Sequence, residues 1–559
     1  MAPTASDSRW PAEVAEVYKQ AMELDVAPWW QTGVVYQIYP RSFQDSNGDG
    51  VGDLPGIAAR LDHLASLGVD AIWISPFYPS PMKDFGYDVS DYADVDPLFG
   101  RLADFDRLLA AAHERGLAVI IDWVPNHTSD QHSWFLASRS SRDSPQRDWY
   151  VWRDPKLDGS LPNNWLSAFG GPAWTWDERT RQYYLHTFLK EQPDLNWRNP
   201  AVRRAMLDTL EFWLERGVDG FRIDVAHAVM KDPELRDNPP APAGRRDFHK
   251  DMGAYGTQLH IYDRGHADTH LVYRDVRRLL ERYSGTRARV SIGEIHLFDL
   301  AELVAYYGAE LDELHMPFNF TLLNVPWTAE AVRSTVDEME AALPAGAWPN
   351  WVLGNHDESR VASRIGAAAA RSAMLLLLTL RGTPTLYYGD ELGMEDVPVP
   401  PELVQDPWGK NVPGLGLGRD PERAPIPWDG SPNAGFTRPG VKPWLPLPPD
   451  AATRNVEAQA AKPDSMLTLT RSLLAVRRAH PALQRGSYRP VAEAPAGVFA
   501  YERALGDERL LVLVNFLPTP TDVRVTGIAR PLVSTHVDPV VRSGACALRP
   551  HEGVVLEMG

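Results

Sequence analysis

The stretch Ala118-Val119-Ile120-Ile121-Asp122-Trp123-Val124-Pro125-Asn126-His127 decides the fold. Its apolar residues run on without alternation, and polar residues close the run. A strand of that kind is buried on both faces, as in a parallel sheet covered by helices. The pattern occurs eight times, at 33–40, 71–76, 118–127, 220–226, 290–295, 314–320, 350–357 and 385–390. Helical patterns with apolar residues recurring at three and four follow most of these runs, most clearly at 57–67, 102–115, 201–216, 329–342 and 359–380. Eight strand–helix units predict an α/β fold of the closed (β/α)8 barrel type, with a doubly wound sheet as the competitor.

Two intervals interrupt the rhythm. Residues 128–190 are rich in Trp, Asn, Gly and Pro and too long for a simple loop, which predicts a subdomain inserted after strand three. Residues 391–445 form a Pro- and Gly-rich excursion directly after strand eight. Beyond 481 the pattern changes to short β-like runs at 498–501, 510–514 and 553–556, which predicts a C-terminal all-β sandwich over 482–559. The barrel then spans 29–127 and 191–481, preceded by an extension over 1–28. Both insertions leave from strand C-termini, the face on which barrels build active sites.

Composition removes several classes of function. Acidic residues outnumber basic ones by 74 to 56 in the 559-residue chain, a formal charge of −18, so neither nucleic acid nor an anionic membrane surface is the expected partner. The single cysteine, Cys546, excludes an internal disulfide framework and fits a reducing compartment. Residues 1–27 lack the apolar core of a secretory signal, and the longest apolar stretch, 373–380, is too short to cross a bilayer. A soluble cytoplasmic protein with no membrane partner is expected. Nineteen Trp and nineteen Tyr suit a ligand with apolar faces and polar rims, such as a sugar.

Three acids close predicted barrel strands: Asp224 in Gly220-Phe221-Arg222-Ile223-Asp224, Glu294 in Ile292-Gly293-Glu294-Ile295, and Asp357 in Gly354-Asn355-His356-Asp357. A carboxylate leaving an apolar strand is costly unless the barrel mouth offers water or partners, so three of them on one face point to a site. Alternation places Arg222 beside Asp224, where its charge is expected to hold that carboxylate ionised as a nucleophile. Glu294, between apolar neighbours and facing other carboxylates, is expected to have a raised pKa and to keep a proton as general acid/base. Two carboxyls of split acidity are what glycosidic cleavage requires, and direct attack needs them roughly 5 to 5.5 Å apart.

Four linked segments resemble the signature of the α-amylase superfamily (glycoside hydrolase family 13), in its α-glucosidase and oligo-1,6-glucosidase branch: residues 122–127, 220–224, 293–294 and 354–357, in the family order. The likeness is strong over 29–429 and holds in outline beyond. It implies that Asp224 is the nucleophile, Glu294 the acid/base and Asp357 the third carboxylate, which fixes sugar hydroxyls. By the same resemblance His127, Arg222 and His356 surround the glucosyl ring, Tyr87 forms a stacking floor, and Asp88 holds the far hydroxyls. In exo-acting members that Asp pairs with an Arg from the segment after strand eight, here Arg423, with Arg419 as second candidate; Ala424 departs from the commoner Thr. Phe169, Phe188 and Gln192 match aglycone contacts, and Val225 matches members that accept α-1,6 linkages.

The loop from Asp45 to Asp53 spaces oxygen donors at alternate residues, with Asp45, Asn47, Asp49, the Val51 carbonyl and Asp53 able to wrap a hard cation. Gly56 stands where an EF-hand needs Glu, and the loop instead resembles the one after the first strand in the glucosidase branch. Structural Ca2+ is expected there, with Mg2+ as the other candidate, and no organic cofactor. The whole reading is a retaining, exo-acting α-glucosidase that removes terminal non-reducing glucose from di- and short oligosaccharides. Transfer to another acceptor, as in transglucosidases, sucrose isomerases or trehalose synthases, is the alternative outcome, although Ile-His-Leu follows Glu294 where trehalose synthases carry Ala-Asn-Gln. A non-catalytic barrel relative is opposed by the three intact carboxylates and the missing apolar span.

Overall fold

The computed structural model describes residues 27–242, 250–285, 287–297, 299–542 and 544–559. Apart from its last two residues, the expected N-terminal extension over 1–28 lies outside the described residues.

The first eleven strands are β1 (Val35–Ile38), β2 (Ala71–Ile74), β3 (Ala118–Trp123), β4 (Trp152–Arg153), β5 (Trp174–Asp177), β6 (Gln182–Leu185), β7 (Gly220–Ile223), β8 (Val290–Gly293), β9 (Met316–Pro317), β10 (Asn350–Val352) and β11 (Thr383–Tyr387). Eight of these form one sheet in the order β10-β11-β1-β2-β3-β7-β8-β9, and every pairing is parallel. That is chain order read once around a circle. A doubly wound sheet reverses its order at a switch point, so the barrel is the correct architecture. The ladder is continuous except between β9 and β10, the two shortest members. There Met316 and Phe318 meet Trp348 and Val352 in one buried cluster with Val35, Trp73 and Ile120, so side-chain packing closes the barrel. Pro317 lacks an N–H, and the run expected over 314–320 is reduced to two residues of strand.

Seven of the eight expected runs contain their barrel strand; the eighth strand, β11, begins at Thr383, ahead of the expected 385–390, and overlaps it through Tyr387. The helices differ in two places. The pattern at 359–380 folds as Val361–Ile365 and Ala367–Thr379, broken at Gly366, whose φ of 86° leaves the helical region. The pattern at 57–67 is likewise two helices, Leu54–Ala59 and Leu61–Leu67, the first capped by the Asp53 carboxylate accepting from the Gly56 N–H at 2.7 Å. Helices Thr269–Tyr283 and Met466–Ala479 were not singled out in the sequence, where runs of Arg partly mask their apolar faces.

The insertion after β3 carries the three-stranded antiparallel sheet β4-β6-β5. At the C-terminus, strands Ser487–Pro490, Val498–Leu505, Glu508–Asn515, Gly553–Met558 and Ala529–Ser534 form a five-stranded sheet, and Thr521–Arg524, Ala545–Leu548 and Val540–Arg542 a second one. Val498, Leu511, Val554, Val523, Leu548 and Cys546 share the apolar layer between the two sheets, so the expected sandwich forms and the thiol is part of its core. Tyr501 Oη lies 2.6 Å from Thr379 Oγ1, joining the sandwich to the barrel helix Ala367–Thr379. Among the described residues no helix is long and apolar enough to cross a membrane.

Candidate active site

The C-terminal end of β7 sets the geometry. Arg222 lies inside the barrel with its side chain 2% exposed, which is affordable only because carboxylates surround it. Its Nη1 donates to Asp224 Oδ1 at 2.7 Å, its Nη2 to Glu294 Oε2 at 2.6 Å, and Asp122 Oδ2 stands 3.6 Å away. One planar guanidinium therefore gathers acids from the ends of β3, β7 and β8 and sets Asp224 beside Glu294. The chain then turns sharply. Val225 adopts φ 36° and ψ 48°, a left-handed conformation that a β-branched residue rarely takes, and its N–H donates to Glu294 Oε2 at 2.9 Å. Strain at Val225 is thus coupled to the placement of Glu294. The other oxygen, Oε1, meets His296 Nε2 at 2.7 Å.

The acidities depart from the expected split. Burial raises the pKa of Asp224 well above the usual carboxylate range, with help from neighbouring Glu294 and against the pull of Arg222. Burial also pushes Glu294 up, but Arg222 and the His296 hydrogen bond outweigh it and hold Glu294 below its ordinary value. Both shifts run opposite to the direction expected from the sequence. The cause is that Arg222 reaches both carboxylates rather than Asp224 alone.

Asp357 follows β10 and accepts from Arg419 Nη1 at 3.1 Å and Arg423 Nη2 at 3.0 Å. Although burial opposes it, His356 and these two arginines hold Asp357 well below the usual range. His356 itself is neutral, lowered to about 3 chiefly by burial. Gln37 Nε2 approaches its Nδ1 at 2.8 Å, and an amide nitrogen can only donate, so the ring proton sits on Nε2. Nε2–H then donates to Tyr87 Oη at 2.6 Å, and Tyr87 donates to Asp122 at 2.8 Å. Burial raises Asp122 to about 6. Tyr87 lies parallel to His356, with ring centroids 5.4 Å apart, and forms part of the cavity wall. His127, lowered to about 4 by burial, is a neutral ring whose Nε2 lies 3.1 Å from the Tyr87 carbonyl.

Two expected residues exchange places with neighbours. Asp88 is fully buried away from the cavity, where it accepts from the Lys83 N–H, the Asp84 N–H and Ser80 Oγ at 2.9, 3.0 and 2.8 Å. Asp84 is the acid on the cavity wall. Phe85 and Gly86, with φ of 49° and 106°, reverse the chain between them and turn Asp84 inward and Asp88 into the loop. The arginine paired with that acid is Arg419, 2.7 Å from Asp84, which also binds Asp406 at 2.7 Å. Arg423 stands behind the wall, where its Nε–H donates to the His356 carbonyl at 2.7 Å.

Phe169 and Phe188 line the cavity, edge to face with centroids 6.0 Å apart, and Trp408 packs 5.1 Å from Phe169. Gln192 lies behind them, donating to Asp84 Oδ2 at 3.1 Å. Asp84, His296, Asp406 and Trp408 escaped the sequence reading. Asp84 precedes Tyr87 by three residues in the same turn, which is a usable signal. His296 stands two after Glu294, and Trp408 and Asp406 lie in an excursion without periodicity.

The loop from Asp45 to Asp53 folds its side chains onto its own backbone. Asp45 accepts from the Gly48 and Gly50 N–H groups at 2.6 and 2.8 Å, Asn47 from that of Asp49 at 2.9 Å, and Asp49 from that of Val51 at 2.9 Å. Among the described residues no three acidic, His or Cys side chains are gathered as a metal-holding group. Four side-chain oxygen donors and the Val51 carbonyl on one loop nonetheless have the chemistry of a hard-cation site. Asp53, next to the charge of Asp45, is raised by its burial, a cost that a cation would relieve.

Two carboxyls gathered at the mouth of a parallel barrel are the arrangement that glycoside hydrolases use, and this chain is a member of that enzyme class. The chain belongs to the α-amylase family: the description "Alpha amylase, catalytic domain" matches residues 37–486. It is 45% identical over 496 residues to a probable α-glucosidase of Rhizobium meliloti, covering 87% of this chain and 89% of that protein. It is 38% identical to the oligo-1,6-glucosidase of Parageobacillus thermoglucosidasius, covering 87% and 90%. The crystal structure of the α-glucosyl transfer enzyme XgtA superposes with a TM-score of 0.89 at 44% identity, over 95% of this chain and all of that one.

Proposed function

We propose that this enzyme is a retaining, exo-acting α-glucosidase acting on α-linked disaccharides and short oligosaccharides. The observation that carries the reading is the single guanidinium of Arg222 holding Asp224 at 2.7 Å and Glu294 at 2.6 Å on one cavity. Asp224 attacks the anomeric carbon, its C–O bond to the sugar forms as the glycosidic bond breaks, and the leaving oxygen takes the proton of Glu294. Water then attacks the glucosyl-enzyme, gives its proton to Glu294, and frees Asp224 with the anomeric configuration retained. This course needs the proton on Glu294 and the charge on Asp224, so Glu294 must hold a proton and Asp224 must be free of one when substrate arrives. Asp357, held ionised by Arg419 and Arg423, fixes sugar hydroxyls, and neutral His127 and His356, at the Tyr87 carbonyl and hydroxyl, hold that ring as the floor of the glucose site. Asp84 and Arg419 close the far end, so one glucose is removed at a time.

Initial rates and products over a panel of maltose, isomaltose, sucrose and trehalose test this reading. Free glucose, first released as the α anomer, is expected; β-glucose would reject retention. The likeness to XgtA favours a second reading, in which the glucosyl-enzyme is passed to a sugar or alcohol acceptor rather than to water. Early accumulation of new disaccharides without free glucose would select it.

The Asp45–Asp53 loop completes the proposal as a structural Ca2+ site, formed by Asp45, Asn47, Asp49, the Val51 carbonyl and Asp53. An ion binding only the folded chain at a hundredfold excess over Kd stabilises by about 2.7 kcal/mol. Chelator is expected to lower the unfolding midpoint, Ca2+ to restore it, and Asp45→Ala to remove the response; identical midpoints with and without the ion would reject the site. A cytoplasmic location belongs to the same reading, supported by the buried, unpaired thiol of Cys546.

A further inference from the structure

Glu294 has two oxygens with different company. Oε2 accepts from the Val225 N–H at 2.9 Å and from Arg222 Nη2 at 2.6 Å. Neither donor gives up its proton in a protein at working pH, so Oε2 is a poor seat for a proton. Oε1 faces the Nε2 of His296 at 2.7 Å, the one donor of the three that can both give and take a proton. His296 lines the same cavity, with its side chain 28% exposed, while that of Glu294 is only 6% exposed. The ring is held flat against Phe320, with centroids 4.9 Å apart and planes 14° from parallel.

We propose that His296 is the positioning residue through which Glu294 exchanges its proton with solvent, by way of Oε1. The inference rests on the assignment of Glu294 as the acid/base and goes beyond it. In the forward step solvent gives a proton to Nδ1 of the neutral ring as its Nε2–H bond breaks and a Glu294 Oε1–H bond forms, so the ring ends neutral with its proton on Nδ1. After the second displacement the path runs backwards. Oε1 is then the oxygen that protonates the leaving group, and the incoming aglycone occupies the space beside His296.

The charged and titratable groups around the pair are consistent with this direction. Glu294 itself is flanked by Arg222, Asp224 and Asp357. The other ring near His296 is His227, with centroids 5.9 Å apart, which burial and then Arg264 and His296 hold well below its ordinary value. His227 therefore stays neutral and does not compete for the proton.

The test compares leaving groups. His296→Gln keeps an N–H donor but neither gives up nor takes a proton at working pH, and His296→Phe keeps the stacking on Phe320. For the better of maltose and isomaltose, whose leaving oxygen must be protonated, kcat/KM is expected to fall about 10- to 100-fold in both variants, a part of the roughly 10²- to 10⁴-fold that general acid catalysis supplies. For α-glucosyl fluoride, whose leaving group needs little help, it should change less than about twofold. Because His296 lowers the affinity of Glu294 for its proton, its loss should move the alkaline limb of the disaccharide profile to higher pH. Equal losses on both substrates, or no loss with an unmoved profile, would overturn the inference. Glu294→Gln is the reference: if it shows the leaving-group difference and the His296 variants do not, only this inference fails, and if Glu294→Gln shows none, the acid/base assignment fails first.

Discussion

Asp224→Asn is expected to lower turnover of any α-glucoside at least about 10⁴-fold, the scale seen when a covalent nucleophile is removed. The amide is nearly isosteric and still accepts the Arg222 hydrogen bond through its oxygen, so the site should keep its shape. It cannot form the glucosyl-enzyme. The variant also removes a carboxyl whose burial is unfavourable, so its unfolding midpoint should be unchanged or slightly raised. Single-turnover kinetics with a fast-leaving α-glucoside will settle the point. A burst of released aglycone in the variant would mean that another group attacks the sugar.

Arg419→Ala should have the largest structural effect. Its guanidinium serves Asp84 at 2.7 Å, Asp406 at 2.7 Å and Asp357 at 3.1 Å, and its side chain is 7% exposed. Removing one partner of a buried ion pair leaves uncompensated charge and costs about 3 to 5 kcal/mol. The cavity would lose its closed end at the same time, because the Asp84 carboxylate would keep, among the described residues, the Gln192 hydrogen bond alone. Urea unfolding should show the loss, and KM for short substrates should rise. Arg419→Lys should recover charge but not the forked geometry, and so restore part of the stability and less of the binding. A midpoint within experimental error of the parent protein would show that the three carboxylates find other partners.

The eight barrel strands were readable because a strand buried on both faces writes itself as an apolar run, a local property of the chain. The acids at their ends were readable for a related reason: 224 and 294 interrupt apolar sequence, and 357 lies in the polar stretch that closes an apolar run, where a barrel opens to solvent. The helix Thr269–Tyr283 was less readable, since arginine stems can cover apolar surface while their heads reach water. Asp88 and Asp84 mark a different limit. Both are acids in one short loop, and the positive φ values of Phe85 and Gly86 decide which of them faces the cavity.

Identity and spacing along the chain located the eight strands, the two interruptions and the three strand-end carboxylates, because each depends on a residue and its near neighbours, and the order of strand pairing then decided for the barrel. The pairing of charges was settled elsewhere. Arg222 reaching Glu294 as well as Asp224, Arg419 rather than Arg423 meeting the loop acid, and His296 touching the acid/base all join residues through folded space. Acidity follows from distance and burial, and both exist only once the strands have closed around the cavity.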